Sequence, residues 1–268
     1  MLELYHYEPT ANSAKPMICL HEKGLDFASH YIDLHAFEQH SPEFVKINPN
    51  GQVPVLVHDG KVITESTVIN EYLEDAFPNP PLRPADHYER AQMRIWSKFV
   101  DEYYCPAVSL IGWHHMIQDI VKDLGKEEFE AYLARIPLHE QREKWRLAAA
   151  KAFPKEQLDD AVRRMRFSMQ RHEERLNKWL WLAGSSYSLA DVNTYSMTAA
   201  MPFLLPDFCN EKETPRSVDW LRRMSERPAV AAALAMAKRP RRALGAALPS
   251  AAIPPSRSAP HIGVVQRD

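Results

Sequence analysis

The sequence predicts a chain in two parts, an α/β unit followed by an all-helical bundle. Three observations carry that expectation. Short β-prone runs alternate with helical runs over residues 1–78. The segment Pro78-Asn79-Pro80-Pro81-Leu82-Arg83-Pro84 cannot continue a helix and marks a linker, placed at 79–85. Beyond it, apolar residues recur at helical spacing through 86–239. With 268 residues, 45% of them hydrophobic, the chain can bury two small cores or one larger one.

Leu2 to Tyr7 alternates as a first strand. Ser13 to Glu22 reads as a helix capped by Ser13 and stopped at Gly24, with Pro16 tolerated in a first turn whose amides lack internal partners. A second strand is expected over His30–Leu34 and a short irregular helical stretch over Phe37–Lys46. Val53–Val57 and Lys61–Thr64, joined by His58-Asp59-Gly60, form a hairpin. Ser66–Phe77 is then helical, with Val68, Ile69, Tyr72, Leu73 and Phe77 along one face. The order β-α-β-α-β-β-α matches a thioredoxin-like sheet with helices on both faces.

In the second part, helical periodicity covers Ala91–Trp113, Leu158–Leu182 and Leu189–Leu204. The stretch 117–153 is too long for an ordinary bundle connection, and extra helices are expected near Glu127–Arg135 and Glu140–Ala150, in an insertion shaping a cleft mouth. From residue 240 to 268 the chain turns to Ala, Pro, Ser and Arg without periodicity, the composition of a disordered tail. Lys238-Arg239-Pro240-Arg241-Arg242 reads as part of that solvated tail rather than as a basic address.

A net charge of -2 with both signs interspersed provides no basic field for phosphates or a membrane surface, so no nucleic acid or membrane partner is expected. Cys19, Cys105 and Cys209 are widely separated and lack C-x-x-C spacing, which points to reduced thiols rather than a disulfide framework or zinc site. The first residues carry an early acid instead of the basic start of a signal peptide, and no run approaches the ~20 apolar residues of a membrane span. A cytoplasmic protein is the expectation.

Two junctions carry binding chemistry. In Asn48-Pro49-Asn50-Gly51-Gln52-Val53-Pro54, a cis bond before Pro54 would turn the Val53 backbone outward, where an extended peptide can pair with it. Glu65-Ser66 stands at the next strand-to-helix junction, where the Ser66 hydroxyl and free helix amides suit a carboxylate while Glu65 meets an ammonium. Together they describe a site for a γ-glutamyl peptide. Each alone could be a strand start or a helix cap.

On these residues, the chain resembles the glutathione transferases from residue 1 to about 238. The helix Glu65-Ser66-Thr67-Val68-Ile69-Asn70-Glu71-Tyr72-Leu73 carries the likeness further, as does Ser188-Leu189-Ala190-Asp191-Val192, which resembles the family's internal capping box. A narrower resemblance, to bacterial glutathione-dependent β-aryl-etherases acting on lignin-derived ethers and especially their β(S) branch, rests on Ala11-Asn12-Ser13 with Lys15-Pro16, Phe37-Glu38-Gln39-His40-Ser41, Leu82-Arg83-Pro84-Ala85-Asp86, Val100-Asp101-Glu102-Tyr103 and Ile111-Gly112-Trp113.

The resemblance implies glutathione as co-substrate, held by Gln39, His40, Gln52, Val53, Pro54, Glu65 and Ser66. Its thiolate would attack the β-carbon of an aryl-ether ketone and release a phenol. Ser13 is the first candidate to stabilise the thiolate, with Asn12 or backbone amides as alternatives and Thr10 a weaker one. Tyr103, Tyr104, Ile111, Trp113 and His114 are expected against the small aromatic ether, with Phe203 and Leu204 from a later helix. Adjacent His114 and His115 point about 100° apart on a helix, so no metal is expected. Pairing with itself or a related transferase is implied, through the face between the helices beginning at Ser66 and Asp86. Dehalogenation, isomerisation or peroxide reduction remain open on the same site, as does a weakly active heterodimer partner.

Overall fold

In the computed structural model of the chain, which describes residues 1–239, strands β1 (Leu2–His6), β2 (Ala28–Tyr31), β3 (Val55–His58) and β4 (Lys61–Ile63) form one sheet in the order β2-β1-β3-β4. β1 runs parallel to β2, with Glu3 opposite Ala28 and His6 opposite Tyr31. It runs antiparallel to β3, with Leu2 opposite His58 and Tyr5 opposite Val55. A parallel neighbour requires a crossover, and helix α1 (Ala11–Glu22) supplies it. Helices α2 (Pro42–Ile47) and α3 (Ser66–Ala76) complete this part of the chain, separated from each other by β3 and β4.

Pairing with β1 decides the strand limits, so they differ from the sequence expectation. β2 stops at Tyr31 because β1 ends at His6, and the chain then bends through a 3-10 turn at Glu38–His40. β3 starts at Val55 rather than Val53 because Tyr5 is the last residue of β1 to find an antiparallel partner. Along α3 the buried residues are Ser66, Ile69, Asn70, Leu73 and Glu74, whereas Val68 is 54% exposed. The stripe is rotated from the expected one because two polar side chains enter the interior already partnered: Glu74 lies 2.6 Å from Lys23 Nζ, and Asn70 donates to Asn193 Oδ1 at 2.7 Å.

The helical part contains α4 (His87–Phe99), α5 (Cys105–Val121), α6 (Lys126–Ala134), α7 (His139–Ala149), α8 (Lys155–Leu176), α9 (Leu189–Thr198), α10 (Met201–Leu204), α11 (Pro215–Ser225) and α12 (Pro228–Ala235). The single helix expected over Ala91–Trp113 is interrupted by a π-helical turn at Val100–Tyr104, where the Cys105 amide reaches back five residues to the Val100 carbonyl. Pro106 follows directly and has no amide to give to a regular turn. The expected Leu158–Leu182 helix ends at Leu176, and Arg175 then donates to the Leu182 and Ala183 carbonyls of the following loop. The expected Leu189–Leu204 helix divides at Ala199-Ala200 into α9 and α10. The expected tail at 240–268 lies outside the described residues.

One apolar core joins both parts, with Leu4, Met17 and Leu73 in the same cluster as Trp96, Met165 and Trp220. A second cluster gathers Ile117, Leu133, Trp145 and Phe153 from the inserted region around Phe37, whose ring stacks on Tyr132 with centroids 4.4 Å apart. The insertion is thereby packed against the loop that precedes α2.

Candidate active site

A cavity of about 280 Å³ lies between the sheet edge and helices α5 and α7. One side collects Gln39, His40, Gln52, Val53, Pro54, Glu65 and Ser66, and the floor contains Thr10, Asn12 and Ser13. Trp113 and Ser109 come from α5, and Gln141, Lys144 and Trp145 come from α7. A shallower groove of about 430 Å³ beside α8 is lined by Glu156, Asp160, Arg163 and Arg164. Arg163 is engaged there with Asp160, and Arg164 with the Glu102 and Tyr103 carbonyls.

The floor is built by the first turn of α1. Thr10 is the extended residue before the helix, and Ala11 has φ 44°, so Ser13 lies inside the first turn rather than at the cap expected from sequence. Ser13 is buried, and its hydroxyl oxygen accepts the Tyr7 amide at 3.2 Å, which leaves the hydroxyl proton for a partner in the cavity. Asn12 Oδ1 accepts from the Cys105 thiol at 3.6 Å, leaving the Asn12 amide group as a donor. Tyr7, which sequence reasoning did not place here, also lines the cavity, and burial pushes its hydroxyl up to about 12.

The opposite rim rests on residues held in the left-handed region. Gly51 has φ 62°, and Glu65, immediately before α3, has φ 65°. A non-glycine residue in that region costs on the order of 1–3 kcal/mol, and such residues concentrate at functional sites. Gly51 also admits the His40 ring, because a β-carbon there would collide with His40 Nδ1. Burial lowers the His40 pKa to about 4, so its imidazole is neutral at neutral pH. The Val53-Pro54 peptide is cis, and Val53 lies beyond the last strand pair.

Among the described residues, buried Gln39 Oε1 and His40 Nδ1 have no hydrogen-bond partner. Such atoms cost about 1–3 kcal/mol each unless a ligand or water meets them. The Gln52, Glu65 and Ser66 side chains, the Val53 backbone and the open N-terminus of α3 suit a polar peptide-like molecule carrying both charges.

Four sequence candidates lie elsewhere. Tyr104 belongs to the core, with its hydroxyl against Met169 Sδ at 3.5 Å, and Ile111 is part of the same apolar cluster. Tyr103 stacks on Phe99 with the Arg164 guanidinium over its ring. His114 packs beside His115 and Phe153. On a helix the cavity takes a single stripe: α5 presents Ser109 and Trp113 to it, four residues apart, so Ile111 and His114 fall outside the stripe, while Tyr103 and Tyr104 belong to the π-helical turn before α5. Phe203 is half exposed on α10 and does not reach the cavity lining, nor does Leu204. Sequence reasoning missed Gln141, Lys144 and Trp145, although the inserted helix was legible and its role at a cleft mouth anticipated.

The chain matches the family model for the glutathione S-transferase N-terminal domain over residues 1–75 and that for the C-terminal domain over residues 116–228. It is 47% identical over 235 residues to protein LigF of Sphingobium sp. strain SYK-6, covering 85% of this chain and 91% of that one. The crystal structure of the same protein, described as beta-etherase LigF, superposes with a TM-score of 0.85, covering 87% of this chain and 98% of the other. A glutathione transferase from Burkholderia graminis, with two glutathione molecules bound per subunit, is 27% identical with a TM-score of 0.66 and 89% of each chain covered.

Proposed function

The chain belongs to the glutathione S-transferase family, and from that premise we propose that it is a β-etherase, cleaving β-aryl ether bonds of lignin-derived aromatic ketones with glutathione as co-substrate. The observation that carries this reading is the shared cavity, with Asn12 and Ser13 on its floor, a peptide-suited polar rim on one side and an aromatic wall on the other. The similarity to LigF, named a beta-etherase, favours the same electrophile class.

The reaction displaces an aryl oxide from the β-carbon by the glutathione sulfur. A cysteine-like thiol has a pKa of about 8.5, and lowering it by two units needs roughly 2.7 kcal/mol of preference for the thiolate. Ser13 and Asn12 are the donors in this chain placed to supply that preference, aided by the open amides at the start of α1. Gln39, His40, Gln52, the Val53 backbone, Pro54, Glu65 and Ser66 would hold the tripeptide, and Trp113 and Trp145 would stack on the aryl rings.

We place the protein in the cytoplasm, in keeping with three free cysteines. Pairing with a second copy or a related transferase through the α3/α4 face is supported by the exposed Val68 and Ile95 there. Sedimentation at micromolar concentration tests the pairing, and a strict monomer rules out the self-paired form.

Incubation with glutathione and each enantiomer of a β-aryl-ether ketone is expected to release phenol and glutathione thioether in equal amounts. Glutathione binding without release from either enantiomer would assign the site to another transferase chemistry.

A further inference from the structure

Among the described lysines and arginines, Lys144 is the one that lines the cavity. It is half-buried on α7, lines the cavity, and its Nζ donates to Ser109 Oγ at 3.0 Å while lying 4.3 Å from the centroid of the Trp113 ring. Among the described residues no carboxylate pairs with it. Its helix neighbours do not supply one: Glu143 is held by Arg146, which also holds Glu130 of α6. On α5 the titratable group that interacts with it is Cys105. The Cys105 thiol, which interacts electrostatically with Lys144, also meets Asn12, so the ammonium faces the end of the cavity where the floor donors sit.

A desolvated cation without an anion is costly unless the reaction brings one to it. In a β-ether displacement one atom acquires a full new charge in the aromatic part of the cavity, and that atom is the departing aryl oxygen. Trp113 and Lys144 line the same cavity, so an aryl ring lying beside Trp113 brings its oxygen to the ammonium. We propose that Lys144 is the acid for the leaving group: its ammonium holds the aryl oxygen as the carbon–oxygen bond breaks and gives it a proton. This rests on the β-etherase reading above.

In that step the sulfur lone pair forms the bond to the β-carbon. The electron pair of the β-carbon–oxygen bond goes to the aryl oxygen, which takes one proton from Nζ. The resulting amine regains its proton from water, and nothing is oxidised or reduced. Burial lowers the Lys144 pKa to about 8, below the value near 10 of a phenol, so the transfer runs downhill.

Lys144 is a charged acid below about pH 8 and a neutral amine above it. Of the groups lining the cavity with it, His40 is lowered to about 4 and Tyr7 is raised to about 12, and burial pushes the neighbouring Cys105 thiol up.

Turnover is to be measured across pH for substrates releasing an unsubstituted phenol or a nitrophenol, with the wild type, Lys144→Met and Lys144→Arg. With the phenol, wild-type kcat is expected to fall above pH 8, and Lys144→Met to lose about 10²-fold at pH 7 and show no such limb. With the nitrophenol, which departs as a stable anion, Lys144→Met should stay within about threefold and the wild type should lack the limb. Lys144→Arg keeps the charge without a proton to yield, so it should rescue only part of the phenol rate.

Equal losses on both substrates would assign Lys144 to packing or to the ketone and overturn the proposal. Were Lys144→Met not to fold, a wild-type limb identical for the two leaving groups would overturn it as well. Absence of any phenol release by the wild type would instead sink the β-etherase reading itself.

Discussion

Ser13 faces the cavity because the chain enters α1 through an extended Thr10 and a left-handed Ala11, which puts the serine one position before the helix interior. There its hydroxyl accepts the Tyr7 amide and keeps its proton for a partner in the site. Ser13→Ala is expected to lower kcat/KM about 10²-fold, the usual cost of removing one donor from a developing or stored anion. The same variant should move the rising limb of the pH profile upward, since the thiol then needs a higher pH to ionise; an unchanged limb would transfer the role to Asn12 or the backbone amides. At the rim, Gly51→Ala would force a β-carbon against His40 in a conformation that already disfavours side chains. A tenfold or larger rise in KM for glutathione, with kcat less affected, is the expected result of steady-state kinetics. Ser13, Asn12 and the Val53-Pro54 and Glu65-Ser66 pairs were legible in the sequence because each sits at an element junction that leaves a local signature. Lys144 was not, since its neighbours on α7 read as one more charged helix face, and only packing against Trp113 distinguishes it.

Among the elements, α9 depends on a buried carboxylate. Asp191 accepts the Ser188 amide at 3.1 Å, the Leu182 amide at 3.1 Å and Trp220 Nε1 at 2.9 Å, and burial raises its pKa to about 6. Ser188 Oγ meanwhile accepts from the Ala190 amide, and the capping box between Ser188 and Asp191 closes in both directions. Asp191→Ala strands three buried donors, and denaturant unfolding should show a loss of about 3–5 kcal/mol. A loss below 1 kcal/mol would mean that water replaces the carboxylate. The capping motif was readable because its two residues are three apart in sequence; the bonds to Leu182 and Trp220 were not, because nothing local encodes them. Helix interruptions follow the same division. The run Ala91–Trp113 reads as one helix in sequence, but the wide turn that rotates Tyr103 and Tyr104 away from the cavity depends on how α4 and α5 each pack.

Across the whole molecule the two parts share one core, and polar ties reinforce the seam. Glu22 of α1 accepts from Arg227 at 2.6 and 2.8 Å and from the Tyr187 hydroxyl at 2.9 Å, while Lys23 donates to the Phe77 and Pro80 carbonyls beside the linker. Unfolding is therefore expected as a single transition, with far-ultraviolet dichroism and the fluorescence of the tryptophans coinciding. Leu73→Ala, a truncation in α3 at the shared core, should cost about 2–5 kcal/mol and shift both probes together; two separated transitions would contradict a common core. What the sequence determined by itself was the order of elements, the break near Pro80, the inserted helices and the residue types at the junctions, because turn chemistry and periodicity act within a few neighbours along the chain. Which stripe of each helix faces the cavity, and hence that Trp113 lines it while Tyr103, Tyr104, Ile111 and His114 do not, was decided by tertiary structure. A helix rotates 100° per residue, and only the partners it meets in three dimensions choose which of its apolar and charged stripes to bury.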